Sequence, residues 1–164
     1  MADYRIGRRS LLGGGAAAIA AFALLRSPGA AGSALSFKVN HSPEEWKRLL
    51  GPQRYAVLRE ASTEHPFTSP LLKEHRRGTF ICAACALPLF NSPTKFESGT
   101  GWPSFWRALP HAVVTRTDRS LLEERTEVLC ARCGGHLGHL FDDGPRPTGL
   151  RYCMNGLALK FVPA

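Results

Sequence analysis

The sequence of 164 residues lacks a long apolar run, a low-complexity tract beyond residue 33 and any internal repeat other than two C-x-x-C pairs. Its longest apolar stretch, residues 11–25, is interrupted by three glycines and is shorter than the ~20 residues that a membrane-spanning helix needs. With 44% hydrophobic and 21% charged residues, the composition argues against a disordered chain, a collagen-like chain and a polytopic membrane protein. One domain is expected at this length, either a soluble enzyme or a binding module.

Acidic residues are scarce, since 13 Asp and Glu stand against 21 Lys and Arg and give a formal net charge of +8. Residues 1–33 hold four arginines and one aspartate, so they supply +3 of this charge and leave +5 on the remainder. Four thiolates around one divalent cation would lower that remainder to about +3. The folded part is therefore not basic enough to indicate nucleic-acid binding.

The first 33 residues have the layout of a secretory signal peptide. A basic stretch precedes the apolar run, and a stretch of small residues follows it at positions 27–33. The pair Arg8-Arg9, followed by a serine and two leucines, resembles a twin-arginine signal, a type that carries proteins already folded. We expect residues 1–33 to direct export to the periplasm, without a stable membrane anchor, and residues 34–164 to form the functional domain. The alternative is a membrane tether through an uncleaved signal.

The segment after residue 40 predicts two short helices. Ser42 suits an N-cap, a proline follows at the first helical position, and Glu45 completes a capping box. Gly51 ends the first helix, and Pro52 begins a second one that extends to about Glu60.

Beyond the helices, short runs of strand-forming residues are bounded by clusters of Gly, Pro, Asn and Asp, which predicts antiparallel β structure with turns. These runs cover residues 79–82, 112–115, 127–130, 151–154 and 157–161.

Four of the five cysteines form two C-x-x-C pairs, Cys82 with Cys85 and Cys130 with Cys133, which are 44 residues apart. Each pair places two thiols at the tip of a tight turn, and four sulfurs in a tetrahedron suit a zinc ion. Such a site is structural, because four thiolates leave no open position for a substrate. Two redox-active pairs or an iron–sulfur site are the alternatives, although no thioredoxin-like βαβ pattern surrounds either pair.

The fifth cysteine, Cys153, has polar neighbours at strand spacing. If residues 151–154 form a strand, the side chains of Arg151, Cys153 and Asn155 point to the same face. A guanidinium beside a thiol favours the thiolate and so makes the sulfur a nucleophile. The alternative is a buried and inert cysteine, which is a common fate of a free thiol.

Two further segments carry candidate site residues. His136 and His139 directly follow the second C-x-x-C pair, which gives the imidazoles a rigid mount and predicts proton donors or hydrogen-bonding groups. Satisfied structural histidines or adventitious metal ligands are the alternatives. Trp102 lies in a glycine-rich loop, where its ring could pack against a methyl–sulfur group or, alternatively, lie in the core.

These motifs together are specific enough to indicate a family. The segments 99–105, 136–145 and 151–155, with both C-x-x-C pairs, closely resemble the peptide-methionine (R)-S-oxide reductases, the MsrB family. The resemblance extends from about Ser42 to Phe161. It implies a mainly β fold of two antiparallel sheets, clipped by a four-cysteine zinc site and preceded by short N-terminal helices.

The resemblance also implies the chemistry. Cys153 would attack the sulfur of an oxidised methionine, leaving a sulfenic acid on the enzyme and releasing methionine. His139 and His136 would bind and protonate the sulfoxide oxygen, directly or through water, with support from Asp143.

Three more residues receive roles from the resemblance. Arg151 and Asn155 would orient and activate the thiolate, and Trp102 would hold the S-methyl group of the substrate.

The sequence departs from the family at two positions. Many members carry a second, resolving cysteine in the glycine–tryptophan loop, where this sequence has Thr100, and Gly156 stands where a serine is usual. If a metal holds the other four thiols, none remains to form a disulfide with Cys153. We therefore expect an external thiol, from a thioredoxin-like protein or a small molecule, to reduce the sulfenic acid.

Two other functions remain open from the residues alone. A non-catalytic, zinc-clipped module could use the Trp102 pocket to bind a ligand, and it would not need Arg151, Cys153 and Asn155 together. A redox-sensing thiol protein of related fold is the other possibility.

Overall fold

The computed structural model describes residues 35–120 and 123–164. The expected signal peptide, residues 1–33, lies outside the described residues. Among the helices that the structure describes, none is both long and apolar enough to cross a membrane.

The helical segment has the break that its sequence predicts. Helix α1 (Pro43–Glu60) begins after Ser42, whose hydroxyl accepts a hydrogen bond of 3.2 Å from the backbone N–H of Glu45. Gly51 interrupts the helical backbone with φ 69° and ψ 170°, a conformation that glycine adopts at little cost, and a proline follows it. α1 therefore consists of two helical pieces, as expected.

Nine strands form two antiparallel sheets in the part of the chain that the structure describes, which confirms the expected mainly β fold. The smaller sheet has the order β2-β1-β9, with β1 at Gly78–Cys82, β2 at Pro88–Asn91 and β9 at Leu159–Pro163. The larger sheet has the order β3-β4-β8-β7-β6-β5. Its strands are β3 (Lys95–Phe96), β4 (Ser104–Phe105), β5 (Val113–Asp118), β6 (Arg125–Cys130), β7 (His136–Phe141) and β8 (Arg151–Met154).

One predicted strand differs from the structure. The run at residues 157–161 is divided between a single 3-10 turn, Gly156–Ala158, and the strand β9.

Three buried phenylalanines from three strands join the two sheets. The rings of Phe90 and Phe105 stack with centroids 4.3 Å apart, and Phe80 meets the edge of Phe105 at 4.9 Å. All three are fully buried, and replacing any of them by alanine would cost about 3–5 kcal/mol. This packing holds the larger sheet, and strand β8 within it, against the rest of the core.

Candidate active site

The free thiol lies on an interior strand of the larger sheet. Cys153 is on β8, half-buried, with Ser104 of β4 opposite it on one side and His139 of β7 opposite it on the other. Because interior strands are hydrogen-bonded on both edges, the backbone of the thiol has a fixed position.

A cavity of about 120 Å³ opens in front of this thiol. Its volume suits a group of only a few heavy atoms, and its wall combines aromatic rings with polar and charged side chains. The lining residues are Thr63, Trp102, Arg125, Gly138, His139, Phe141, Cys153 and Asn155.

A bulge in β7 brings the two histidines to the same face. Residues three apart on a regular strand point to opposite faces. Here Gly138 pairs with Val128 and His136 pairs with Leu129, so one extra residue of β7 lies between the two pairs. The imidazole rings of His136 and His139 consequently lie with centroids 5.4 Å apart.

His139 is held by a carboxylate in a partly buried setting. Its Nε2 lies 2.8 Å from Oδ2 of Asp118, which also accepts a hydrogen bond of 2.6 Å from Arg125. Hydrogen bonds from Ser120 and then from His139 hold the pKa of Asp118 well below its usual range. Burial lowers the pKa of His139 and outweighs the opposing effect of Asp118. At neutral pH His139 is therefore a neutral imidazole that donates from Nε2, which leaves Nδ1 able to accept a proton.

His136 lies behind His139 and is almost completely buried. Its Nδ1 is 2.7 Å from Oε1 of Glu127, whose carboxylate is also paired with Arg116. Burial raises the pKa of Glu127, but the bonds from His136 and Arg116 prevail and the net shift is downward. Within the part of the chain that the structure describes, the Nε2 of His136 has no hydrogen-bond partner.

Arg151 and Asp143 form a two-bond ion pair at the edge of the pocket. The Nε and Nη2 atoms of Arg151 donate to the two carboxylate oxygens of Asp143, each at 2.7 Å, and the guanidinium lies 4.3 Å from the ring centroid of Phe141. These bonds lower the pKa of Asp143 and raise that of Arg151. A thiolate at Cys153 would raise the pKa of Arg151 further, because the two opposite charges attract each other.

Glu64 connects two walls of the pocket, and sequence reasoning missed it. Its backbone carbonyl accepts a bond of 3.1 Å from Trp102 Nε1, and its backbone N–H donates at 3.0 Å to Oδ1 of Asn155. Its buried carboxylate accepts from the backbone N–H groups of Gly156 and Leu157. No local signal marks Glu64, because Asn155 and the two amides lie more than ninety residues further along the chain.

Thr100, which stands where many proteins of the resembled family carry a resolving cysteine, contacts the thiol. Its Oγ1 lies 3.8 Å from Sγ of Cys153. The loop position is thus within reach of the thiol in this fold, although the residue there is not a second thiol.

The two C-x-x-C turns have the same backbone geometry. The N–H of Ala86 bonds to the carbonyl of Cys82 at 2.9 Å, and the N–H of Gly134 bonds to the carbonyl of Cys130 at 2.9 Å. In each turn the amide of the first cysteine also bonds to the carbonyl five residues further on, at 2.8 and 2.9 Å. Each turn is therefore closed by its own main chain.

The four sulfurs of these turns lie within 4.8 Å of one another, at a size that fits a metal ion. The distance is 3.8 Å from Cys82 to Cys133 and 3.5 Å from Cys85 to Cys130. A tetrahedron of sulfurs around zinc, with bonds of about 2.3 Å, has edges of about 3.8 Å.

Known proteins are similar in sequence to most of this chain. A family model described as the SelR domain matches residues 50–163. The peptide methionine sulfoxide reductase MsrB of Leptospira interrogans is 54% identical over 128 residues, which cover 77% of this chain and 98% of the relative. The proteins of that name from Bradyrhizobium diazoefficiens and Methanosarcina barkeri are 55% and 52% identical, over 77% and 75% of this chain and 91% and 87% of their own lengths. The chain belongs to the MsrB family.

The part matched to the MsrB family contains every residue of the pocket and all four clustered cysteines. Of the predicted site residues, the structure brings Cys153, His139, Trp102 and Asn155 together on the pocket wall. Arg151 and Asp143 lie beside them as a pair, and His136 lies behind His139. Five further residues that line or support the pocket were not predicted from the sequence: Thr63, Glu64, Arg125, Gly138 and Phe141.

Proposed function

We propose that this chain reduces methionine-R-sulfoxide in peptides and proteins to methionine, with Cys153 as the nucleophile. The observation that carries the proposal is the Cys153 sulfur at the wall of a small pocket that also holds an imidazole, His139, and an indole, Trp102. The names of its MsrB-family relatives support the substrate class, and preference for the R epimer rests on that membership.

In the proposed first step, one proton moves from Cys153 through His139 to the substrate. Cys153 loses its proton to His139, whose imidazolium is stabilised by Asp118. The thiolate then attacks the sulfoxide sulfur, and the proton moves to the sulfoxide oxygen. The hydroxyl then moves from the substrate sulfur to the Cys153 sulfur, as the sulfur–oxygen bond of the substrate and the transient sulfur–sulfur bond both break. A Cys153 sulfenic acid and methionine result, so the methionine sulfur is reduced and the cysteine sulfur is oxidised.

The surrounding groups support this step by position and charge. The indole of Trp102, fixed by its hydrogen bond to the Glu64 carbonyl, offers an apolar surface for the S-methyl group. Arg151 attracts the thiolate, and Asp143 acts through Arg151 by fixing the plane of the guanidinium.

Turnover requires an external reductant under this proposal. The sequence has no cysteine beyond Cys153 and the four in the cluster. A thiol of a thioredoxin-like protein or a small molecule would attack the sulfenic acid, releasing water and forming a mixed disulfide. A second thiol would then regenerate Cys153.

Zinc is the metal proposed for the four-cysteine cluster, in which Cys82, Cys85, Cys130 and Cys133 would all be ligands. The all-sulfur donor set and the edge lengths fit a structural ion. Its function would be to hold two distant turns together, with no part in the reaction.

Export is a separate proposal that rests on the sequence of residues 1–33. A twin-arginine-like signal would bring the domain to the periplasm after the cluster has bound its metal.

The proposed function is tested with peptides that contain separated R and S sulfoxides and a dithiol reductant. We expect turnover of the R peptide alone, and no turnover by Cys153→Ser, which should keep its fold and metal. After one turnover without reductant, mass spectrometry should find Cys153 oxidised and no internal disulfide. Binding without turnover would favour the ligand-binding module, and a bridge from Cys153 to Cys82 or Cys85 would contradict the external-thiol step.

A further inference from the structure

A chain of three hydroxyl groups extends from the reactive sulfur into the protein. From Thr100, in contact with Sγ of Cys153, the chain continues to Ser98 Oγ at 2.9 Å and then to Ser104 Oγ at 2.7 Å. Ser104 Oγ lies 3.2 Å from the carbonyl oxygen of Trp102. Ser104 is almost completely buried, so this end of the chain is fixed inside the protein.

The acceptor at the inner end sets the direction of the hydrogen bonds. A carbonyl can only accept, so Ser104 donates to Trp102 and must accept from Ser98. Ser98 then accepts from Thr100, whose own proton is used in that bond. The remaining lone pair of Thr100 can accept from the S–H of Cys153, and every group in the chain is satisfied while Cys153 is a thiol.

Ionisation of Cys153 requires only one hydroxyl to turn. When the thiol proton leaves, the hydroxyl of Thr100 rotates and donates to the thiolate. Ser98 Oγ keeps a donor, because the backbone N–H of Thr100 lies 3.4 Å from it. Hydrogen bonds to a charged acceptor are stronger than neutral ones, so the rotated arrangement favours the thiolate.

The charged groups around Cys153 come from the other sides. Arg151 lies on the same strand as Cys153 and is paired with Asp143. His139 of β7 and Arg125 of β6 line the pocket, and both are paired with Asp118. On the β4 side the groups that reach toward Cys153 are uncharged hydroxyls.

We propose that Thr100 is a positioning residue that stabilises the Cys153 thiolate by hydroxyl rotation, with Ser98 and Ser104 setting the direction of the bond. The inference rests on the proposed function in that the stabilised species is its nucleophile. In place of a second thiol, this loop position would thus supply a hydrogen-bond donor.

The test measures Cys153 ionisation without any substrate. The metal-loaded protein is alkylated with iodoacetamide across a range of pH, and trypsin then releases residues 152–160, a peptide in which Cys153 is the only cysteine. Mass spectrometry of this peptide gives the pH midpoint of Cys153 alkylation. We expect Thr100→Val, which keeps the shape but lacks the hydroxyl, to raise the midpoint by about one unit.

Two matched variants separate the hydroxyl from simple packing. Thr100→Ser restores the hydroxyl and should titrate like the natural protein. Ser98→Ala removes the competing acceptor, so its midpoint should fall. An unchanged midpoint in Thr100→Val, a Thr100→Ser variant that behaves like Thr100→Val, or a midpoint in Ser98→Ala that does not fall would each overturn the proposal.

Failure of this inference and failure of the proposed function give different results. If the natural protein fails to reduce sulfoxides but these midpoints shift as expected, the hydroxyl switch stands and the assigned reaction is wrong. If reduction proceeds and the midpoints do not shift, only the switch is wrong.

Discussion

At the scale of single residues, the site depends on a side chain that never faces the pocket. Glu64 accepts backbone hydrogen bonds at the turn after β8, while its own backbone groups hold Trp102 and Asn155. A buried carboxylate is stable in such a place only because amide donors surround it. One residue therefore fixes the distance between the indole and the strand that carries Cys153.

We expect Glu64→Gln to lower the free energy of unfolding by about 2 kcal/mol, because a neutral amide is a weaker acceptor and adds donors opposite the two N–H groups. The loss should appear in urea unfolding midpoints, and KM for a sulfoxide peptide should rise because the pocket wall loosens. Glu60→Gln, a change at an exposed carboxylate, is the matched control. Equal stability of the two variants would contradict this account of Glu64.

At the scale of elements, the features that depend on neighbouring residues were predicted correctly from the sequence. Those that depend on pairing with another strand were not. The break at Gly51 and the cap at Ser42 depend on neighbouring residues, and both were predicted. In β7, residues Leu137 to His139 do not show the alternation of polar and apolar side chains that marks a regular strand. The bulge there is visible only in the pairing of β7 with β6. Sequence reasoning could therefore choose the two histidines but could not order them as one on the pocket wall and one behind.

The turn after β8 explains the departure at position 156. A Cβ added to Gly156 would overlap Oγ of Ser69, so the hydroxyl of a residue far away in sequence fills the space of a side chain there. Ser69 also caps the short 3-10 helix at Pro70–Lys73 by accepting from Leu71.

We expect Gly156→Ser alone to lower the free energy of unfolding by about 2 kcal/mol through this overlap. The double variant Gly156→Ser with Ser69→Gly should recover most of that loss, and Ser69→Gly alone supplies the remaining arm of the double-mutant cycle. Urea unfolding of all four proteins measures the coupling. Additive effects would show that the two positions do not compete for the same space.

At the scale of the whole molecule, the four-cysteine cluster and the aromatic core join the two sheets by different means. Cys82 ends β1 of the smaller sheet, and Cys130 ends β6 of the larger one. Two C-x-x-C pairs were enough to predict the cluster, since spacing alone defines such turns. The packing of the three phenylalanines was not predictable, because it depends on contacts across both sheets.

Removal of the metal should destabilise the whole domain. We expect a chelator, in the presence of a reductant, to lower Tm by at least about 10 °C, since the binding free energy of a structural ion contributes to folding. Calorimetry with parallel metal analysis provides the measurement. Cys153→Ser should bind the same amount of metal and lose the same stability, and a natural protein with no metal and an unchanged Tm would contradict the assignment.

The free energy of unfolding of the domain should also fall as the pH drops below about 6.5, the ordinary pKa of a histidine side chain. The pKa of His139 is lowered by burial, so the unfolded chain binds a proton in this range before the folded protein does. The carboxylates with lowered pKa values, Asp118, Glu127 and Asp143, lose their contribution only in more acidic solution. The urea midpoints measured at about pH 7.5 and about pH 5.5, roughly one unit on either side of that value, should differ less in His139→Gln than in the natural protein. An equal difference in both proteins would assign the effect to other groups.

The separate closure of the two C-x-x-C turns has a consequence for how the ligand sphere assembles. Each turn is closed by its own backbone hydrogen bonds, so one pair of sulfurs could bind an ion while the residues between Cys85 and Cys130 are still unstructured. Arrival of the second pair then closes a loop of 44 residues, an entropic cost that grows only slowly with length. If the site assembled in these two halves, capture of the ion would come before the two sheets meet.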